Sequence, residues 1–542
     1  MAPSRAEGPG IQDTARKPSE SSSDAGDKLR GAAVVVVPVL LAALLTSVDL
    51  SGRSLWLDEA ASVTIASQHG AALWAAMRHD GGNMLAYYAL LHVLIGWFGT
   101  GAGAIRLASV VATAGTVLVV CLLGRRLFGR SVALAAGLLT AVSLPLVYWG
   151  QNARGYAFMV AFAAASFLGF VALVEAEPGS RRAVVAWLCY VVAIVLAVYM
   201  SFVAVLVVPA QLISLFWYRR RLKPVAFAVG VAAACCLPLG WLGSKRGSSQ
   251  LFWVARPNLG DAGAIVQSLT SGAQPSFQLS ATSIVLCVLT VALLVACAVR
   301  IRLGWSQTPE ARDRWAQVLV LSWLVVPLVL ICLESFVGQS VFQARYTLIA
   351  LPAVSLLLAF GLLTTPLRAG VGWAALAVLL VLRGAQILPV YGASPENWRA
   401  ATRYVLSQAR PGDCVAFYPS DGRMAFRYYL SGGPGVGRPV PRPVLPPTRW
   451  ASDTPFVEDY RGLSPSDAAR LQATCSRVWL LSSHVGAVGA TTASTAHLAR
   501  FFAIGRDLGG AYGGYRTAFF GWTSPVTVAL YFAPHSPPTG GG

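Results

Sequence analysis

Two adjacent carboxylates, Asp58 and Glu59, are the side chains of this sequence best placed to do chemistry. They lie in the pentapeptide Trp56-Leu57-Asp58-Glu59-Ala60, directly after the first long apolar run, residues 31–50. Only ten acidic residues occur between residues 31 and 390, so two neighbouring ones at the end of an apolar run are unusual. A site that abstracts a proton or holds a metal ion is one reason for such a pair.

The same pair is also suited to beginning a helix. Asp58 can cap the first turn and Glu59 can follow as a first-turn acid, with the helix running from Ala60 to Ser67. Neighbouring residues do not share a helix face, so we expect one carboxylate to react while the other orients a helix, a metal or a basic partner. Asp58 is the predicted base and Glu59 the supporting acid. A divalent cation, Mg or Mn, is an optional cofactor bound by either of them.

Five basic residues are predicted to lie on the same side of the membrane as this pair. They are Arg154, Lys245, Arg246, Arg256 and Arg345. Arg and Lys hold phosphate oxygens by charged hydrogen bonds, so these residues form a candidate phosphate site. Contact with lipid headgroups is the alternative for each of them. Glu334, at the outer end of a predicted span, is either a further carboxylate of the site or a surface acid.

The composition predicts a polytopic membrane protein. Of the 542 residues, 56% are hydrophobic and 12% are charged, the mean hydropathy is +0.60, and soluble chains carry about 25% charged residues. The net charge of +19 could suggest nucleic acid. The basic residues, however, stand in short clusters between apolar runs and form no stripe with interleaved aromatics, which indicates membrane topology and no nucleic-acid partner.

Span length and the clustering of Lys and Arg in cytosolic loops together predict about eleven transmembrane helices. The predicted spans are residues 31–50, 104–124, 131–149, 154–174, 183–199, 201–217, 224–242, 281–299, 316–334, 343–363 and 370–390. The N-terminus is then cytosolic, and the first external loop, residues 51–103, carries two surface helices at 60–78 and 83–98. An odd number of spans makes the C-terminal part extracytoplasmic, in an integral plasma-membrane protein.

Four regions follow from this topology. Residues 1–30 are predicted to be a disordered cytosolic tail, 31–390 the transmembrane domain, 391–536 a small external α/β domain and 537–542 a flexible tail. The α/β domain is predicted to contain a helix at Asn397 to Gln408 and strands at Cys414 to Tyr418, Arg477 to Leu481 and Val526 to Phe532. Cys414 and Cys475 are the only cysteines after residue 390, and we expect them to pair in an oxidising compartment.

A series of short motifs follows in order along the chain. They are Trp56 to Ala60, Leu85 to Leu91 with its Tyr87-Tyr88 pair, Arg106-Leu107, Gly124 to Gly129, Gln151 to Tyr156, and Ala344-Arg345-Tyr346 followed by Leu351-Pro352. Asn397 to Ala401, followed by Pro411-Gly412-Asp413, completes the series. In order and membrane placement it resembles the C-type membrane glycosyltransferases, in the branch of the protein O-mannosyltransferases and the lipid A aminoarabinose transferases.

The resemblance implies an inverting transferase that takes its sugar from a polyprenyl-phosphate donor. Asp58 would be the general base for the acceptor hydroxyl, and Tyr88, Gln151 and Tyr346 would support the site or contact substrate. The expected donor sugar is mannose, and the expected acceptor is a lipoglycan, glycolipid, other glycan or protein of the cell envelope. Two alternatives stay open: an arabinosyltransferase with a pentose donor, and a non-enzymatic carrier or transporter of lipid-linked sugars. Transport usually places ionisable groups at mid-membrane, whereas this pair is predicted at one surface.

Overall fold

The computed structural model describes residues 20–217, 221–246, 251, 253–258, 261–270, 280–305, 310–364, 369–431, 439–445, 462–522 and 524–533. Residues 1–19 of the predicted N-terminal tail, the predicted tail 537–542 and the side chain of Arg246 lie outside this set.

Seventeen α-helices precede the C-terminal domain in the described residues. They are α1 Glu20–Ser47, α2 Leu57–Ala66, α3 Gly70–His79, α4 Leu85–Phe98, α5 Ala102–Phe128, α6 Arg130–Ala141, α7 Leu144–Gly150, α8 Tyr156–Glu175, α9 Arg181–Met200, α10 Val207–Ser214, α11 Leu222–Arg246, α12 Asp261–Thr270, α13 Ala281–Leu303, α14 Ala311–Val337, α15 Ala344–Thr347, α16 Leu351–Leu363 and α17 Ala369–Ile387. The prediction of disorder up to residue 30 is wrong for its last part, because α1 already begins at Glu20. An ion pair of 2.6 Å between Asp27 and Arg130 ties this early part of α1 to α6.

The number of spans differs from the eleven predicted. Nine helices of the described residues are long and apolar enough to cross a membrane, and ten if the bent pair α6–α7 is one span. The remaining predicted span, residues 201–217, is α10 flanked by the 3-10 helices Phe202–Leu206 and Leu215–Trp217. Since a 3-10 helix rises about 2.0 Å per residue and an α-helix about 1.5 Å, this segment extends roughly 28 Å. The segment therefore has fewer residues than a typical transmembrane helix, but its length nearly equals the ~30 Å thickness of the hydrocarbon core.

The bend between α6 and α7 has a local cause. Pro145 lies in the first turn of α7 and has no N–H to donate to the carbonyl of Ala141, where α6 ends. The helix therefore stops and restarts at an angle of 58°. This bend brings Tyr148 and Trp149 of α7 to the wall of the cavity described below.

The C-terminal part is an α/β domain, as predicted. Its elements are α18 Trp398–Gln408, β1 Asp413–Tyr418, α19 Gly422–Ser431, β2 Arg442–Leu445, α20 Pro465–Thr474, β3 Arg477–Ser482, α21 Thr492–Tyr512, β4 Gly514–Phe520 and β5 Val526–Phe532. The strand order is β2-β1-β3-β5-β4. Strand β1 is parallel to β2 and β3, whereas β5 is antiparallel to β3 and β4.

The two faces of this sheet are covered by different helices. One face packs Val415 and Phe417 of β1 against α18 and α19, in a cluster that also takes in Leu57 of α2. The opposite face packs Ala416 of β1 against α20 and α21. The predicted disulfide between Cys414 and Cys475 is confirmed, and it joins β1 to the end of α20.

Polar contacts fix the α/β domain onto the first loop of the membrane domain. The Arg399 guanidinium donates to the carbonyls of Ser51 and Gly52 at 2.7 and 2.8 Å. The Leu55 N–H donates to the Tyr429 hydroxyl at 2.7 Å. Since this loop leads directly into α2, the C-terminal domain helps to hold the helix that carries the carboxylate pair.

Candidate active site

A cavity of about 650 Å³ lies between the membrane domain and the α/β domain, a volume typical of small-molecule sites. The membrane domain contributes a basic and aromatic wall, made of Arg53, Trp56, Asp58, Trp149, Trp253 and Arg345. The α/β domain contributes an acidic and hydroxyl-bearing wall, made of Glu396, Asp421, Ser482, Ser483 and His484. These two sets are called the membrane wall and the domain wall below.

Asp58 lies in the membrane wall with an available carboxylate. Its side chain is 32% exposed, and its Oδ2 is 3.5 Å from Arg154 Nη2 and 3.9 Å from Arg345 Nη1. Both contacts are longer than the ~2.7–2.9 Å of a charge-assisted hydrogen bond. The two guanidinium groups therefore hold the charge of Asp58 in place while its oxygens can still meet a substrate hydroxyl.

Glu59 is placed quite differently, although it is the next residue. Its side chain is fully buried, and its oxygens accept from Arg106 Nε at 2.8 Å and Arg106 Nη2 at 2.6 Å. Its Oε1 also accepts from the Ala153 N–H at 2.7 Å. A carboxylate saturated in this way joins α2, α5 and the segment after α7, and it does not reach the cavity.

The expectation that Asp58 caps the helix is corrected by the geometry of the first turn. The N-cap residue is Trp56, whose side chain makes no capping hydrogen bond, and α2 begins at Leu57. The Leu57 N–H instead donates to Glu396 Oε2 of the α/β domain at 3.4 Å. The start of α2 is thus capped from another domain, which leaves Asp58 free of that role.

Arg154 lies behind Asp58 and is held by a polar chain. Its Nη1 donates to the Ser62 hydroxyl at 3.1 Å and to the Tyr88 hydroxyl at 3.4 Å. The Tyr88 hydroxyl in turn donates to Asp80 Oδ2 at 2.9 Å. Tyr88 therefore orients the arginine that orients Asp58, and Arg154 is not among the residues that line the cavity.

Arg345 lines the cavity between three aromatic rings. Its guanidinium carbon is 5.4 to 5.8 Å from the ring centroids of Trp253, Tyr346 and Tyr156. Its Nε is buried and has no hydrogen-bond partner among the described residues. Arg345 therefore brings a positive charge with an unused donor to the membrane wall, and Tyr346 supports it.

Arg53 is a second cation of the membrane wall, which sequence reasoning missed. It is 4% exposed, and its Nη2 donates to the Gln151 carbonyl at 3.0 Å. Its Nη1 has no hydrogen-bond partner among the described residues, and no carboxylate of that part of the chain lies within 4 Å of it. The only signal in the sequence was its position five residues before Asp58.

Several predicted site residues lie elsewhere. Gln151 is buried and donates to the carbonyls of Thr46 and Val48, so it closes the end of α1. Lys245 is exposed beside the ring of Trp241, and Arg256 and Glu334 are exposed at the surface. None of these four is among the residues that line the cavity.

Glu396 is the central acceptor of the domain wall. In addition to the hydrogen bond from the Leu57 N–H, Glu396 accepts from Trp398 Nε1 at 2.5 Å and from the Ser483 hydroxyl at 3.0 Å. It also forms an ion pair with His484 Nε2 at 3.1 Å. Burial lowers the pKa of His484, but the charge and hydrogen bond of Glu396 outweigh it and raise that pKa to about 9. His484 also has φ of 54°, in the left-handed region where His is enriched among non-glycine residues.

Asp421 is the second carboxylate of the domain wall. It is 7% exposed, and its Oδ1 is buried and accepts no hydrogen bond from the described residues. Burial raises its pKa to about 6, and the negative charges of Asp58 and Glu396 act in the same direction. Nothing in the sequence near residue 421 indicates that Asp421 lines the cavity, because the acidic residues that act on its pKa, Asp58 and Glu396, lie elsewhere in the chain.

The carboxylate pair does not fit the expected optional metal ion. Both oxygens of Glu59 are occupied, and two arginines surround Asp58, so a divalent cation would meet positive charge. Among the residues that the structure describes, no three His, Cys, Asp or Glu side chains lie close enough together to hold a metal.

Comparison with solved structures identifies the fold. The chain superposes on ArnT from Cupriavidus metallidurans, in its apo state, with a TM-score of 0.54 and 14% identity, covering 91% of this chain and 97% of that one. It superposes on the Archaeoglobus fulgidus oligosaccharyltransferase, in complex with Zn and sulfate, with a TM-score of 0.51 and 13% identity, covering 91% and 72%. This chain has the C-type glycosyltransferase fold.

A match to a protein family is consistent with this fold. The model of the dolichyl-phosphate-mannose-protein mannosyltransferase family matches residues 80–241. That segment begins at Asp80 and includes the Tyr88 and Arg154 described above. The resemblance to C-type membrane glycosyltransferases that the sequence motifs predict is confirmed. A comparison with curated protein sequences finds no match.

Proposed function

We propose that this protein is a glycosyltransferase that moves mannose from a polyprenyl-phosphate donor to a hydroxyl of a cell-envelope glycan, lipoglycan or protein, with inversion at the anomeric carbon. The observation that carries the proposal is Asp58, open to the cavity and held between Arg154 and Arg345. The choice of mannose rests on the name of the family whose model matches residues 80–241.

The reaction uses the two kinds of charge on the membrane wall. Asp58 removes the proton from the acceptor hydroxyl, whose oxygen attacks the anomeric carbon from the face opposite the phosphate. The bond between that carbon and the phosphate oxygen breaks, and the polyprenyl phosphate leaves with an additional negative charge. Arg345 and Arg53 stabilise this charge, because preorganised cations act most strongly where charge develops in a site poor in water.

The aromatic residues of the membrane wall suit the sugar that is transferred. Trp56 is fixed by a 2.9 Å hydrogen bond from its Nε1 to Asn152 Oδ1, and its ring is 6.0 Å from that of Trp149. Such anchored rings offer a flat apolar surface beside Asp58. We place this site on the outer side of the membrane, where lipid-borne donors are available and nucleotide sugars are not, as the distribution of basic loops predicts.

The test uses purified protein in liposomes with radiolabelled polyprenyl-phosphate mannose and cell-envelope acceptors. We expect label to reach the acceptor fraction, and GDP-mannose without the lipid donor to give none. The same assay with polyprenyl-phosphate arabinose decides the sugar, since pentose transfer without mannose transfer would replace mannose in the proposal. Movement of intact donor across the bilayer with no transfer from either lipid would contradict an enzyme and identify a carrier.

A further inference from the structure

The domain wall lies where the topology of the α/β domain creates a crevice. Strands β1 and β3 are parallel neighbours, so their carboxyl ends meet at the same edge of the sheet. The chain leaves β1 into α19 on one face and leaves β3 into α21 on the other face. Neighbouring strands whose following helices go to opposite faces open a crevice between their carboxyl ends, and ligands of open α/β sheets bind there.

The segments that follow these two strands carry polar side chains into the cavity. Asp421 follows β1, and Ser483 and His484 follow β3. Gly486, in the same turn, has φ of +105°, and a Cβ there would be 2.2 Å from the Ser494 carbonyl oxygen of α21. The turn can therefore pass close to α21 only because residue 486 is glycine.

Asp421 indicates that the crevice takes a ligand. A carboxylate oxygen that is buried and unpaired costs free energy unless a partner arrives, and Asp421 Oδ1 is such an atom. Glu396, in contrast, has its oxygens filled by Trp398, Ser483, His484 and the Leu57 N–H. Asp421 is therefore the acceptor of the domain wall that is left for a substrate.

The charges of the two walls decide what kind of substrate this is. The unpaired guanidinium donors of Arg53 and Arg345 lie in the membrane wall, and the domain wall holds two carboxylates and one histidine. A phosphate is attracted to the first wall and repelled by the second. Serine hydroxyls and a free carboxylate oxygen suit the hydroxyls of a neutral sugar.

We propose that the crevice at the carboxyl ends of β1 and β3 is the acceptor subsite, in which Asp421 accepts a hydrogen bond from a hydroxyl of a neutral glycan and presents that glycan to Asp58. This inference rests on the proposed function and narrows its acceptor to a carbohydrate. An extended peptide acceptor would be expected to pair with a free strand edge. The edge strands β2 and β4 contribute no residue to the cavity lining.

The test measures binding separately from turnover. Purified full-length protein is titrated with mannotriose, a neutral glycan, and tryptophan fluorescence reports occupancy because Trp56, Trp149 and Trp253 line the cavity. We expect wild type and Asp58→Asn to bind alike and Asp421→Ala to bind at least about 10-fold more weakly, the loss of one hydrogen bond to a charged group. Glu177→Ala, which removes an exposed acid far from the cavity, is the control and should bind as wild type.

Each outcome decides a different claim. Equal affinity of Asp421→Ala and wild type overturns the subsite. A different result would be that a serine- and threonine-rich peptide binds tightly, that Asp421→Ala weakens this binding, and that mannotriose does not bind. The acceptor would then be a protein and not a glycan. Asp421→Asn, which keeps the shape of the side chain, serves if the alanine variant does not fold. Mannotriose binding that depends on Asp421 while no lipid donor supports transfer would preserve the subsite and refute the proposed function.

Discussion

The two walls of the cavity differ in what holds their charged groups, and this difference separates chemistry from recognition. In the membrane wall Asp58 is flanked by Arg154, from the segment between α7 and α8, and by Arg345 of α15. Arg53 and Arg345 each have a donor that no described residue accepts from. In the domain wall the oxygens of Glu396 accept from several protein donors, whereas Asp421 Oδ1 accepts from none of the described residues. Under the two proposals above, the first wall acts on the phosphate leaving group and the second holds the hydroxyls of the acceptor.

Of the variants that test this difference between the walls, Asp58→Asn should lower the activity most. The amide keeps the shape of the side chain but cannot take the proton, and general-base help is worth about 10²–10⁴-fold in rate. We expect kcat to fall by that factor, measured with the lipid donor and a saturating acceptor. Thermal melting should stay near that of wild type, since the carboxylate makes only long ion contacts. A folded variant with near-normal kcat contradicts the role of Asp58.

Glu59→Gln should act on folding and not on chemistry. It leaves the fully buried Arg106 without a counter-charge, and breaking a buried pair costs about 3–5 kcal/mol. We expect a low yield of inserted protein and a lower melting temperature in detergent. Asp58→Asn is the matched control, because it changes the neighbouring carboxylate without touching a buried pair. A stable Glu59→Gln protein that binds donor but does not turn over would give Glu59 the catalytic role.

Arg345→Ala should weaken use of the donor more than use of the acceptor. One hydrogen bond from a charged group to phosphate contributes about 1.5–3 kcal/mol, or roughly 10- to 150-fold in the donor KM. Lys245→Ala is the comparison, since that exposed lysine does not line the cavity and should leave the donor KM unchanged. If Lys245→Ala raised the donor KM and Arg345→Ala did not, the phosphate site would lie at α11, which carries Lys245.

His484→Gln should have the smallest effect, seen in the pH dependence of stability. The pKa of His484 is raised from 6.5 to about 9, chiefly because the Glu396 charge overcomes burial. Protonation therefore stabilises the folded protein fully below pH 6.5, and this contribution is lost as pH rises through about 9. The ring is 43% exposed, so solvent screening keeps the effect below about 1 kcal/mol.

The measurement is the melting temperature of wild type and variant between pH 6 and 10. Wild type should lose stability across this window relative to His484→Gln. The other charged groups that act on His484 are Asp58 and Asp421. Asp421 has a pKa of about 6, so it changes little above pH 7. Parallel curves for the two proteins would show that the Glu396–His484 pair does not stabilise the fold.

The features that depend on local patterns could be predicted from the amino-acid sequence. Apolar runs placed most of the membrane helices, because a span needs about 20 apolar residues in succession. Strands β1, β3 and β5, which are rich in β-branched and aromatic residues, were predicted from the sequence. Pairing of Cys414 with Cys475 was predicted from the expectation that these two cysteines lie in an oxidising compartment, and the disulfide is present. The pentapeptide from Trp56 to Ala60 and the Arg345 motif marked the membrane wall.

The packing of the two domains, by contrast, shows which carboxylate is open to the cavity and what faces it. The motif predicts Asp58 as the base, but the reason that Glu59 is saturated and Asp58 is open lies in Arg106, 47 residues from Glu59. The contact of Glu396 with the Leu57 N–H joins positions 339 residues apart. Burial and ion pairing are set by such distant neighbours, so Arg53, Asp421 and His484 could be assigned to the cavity only after the two domains had been packed together.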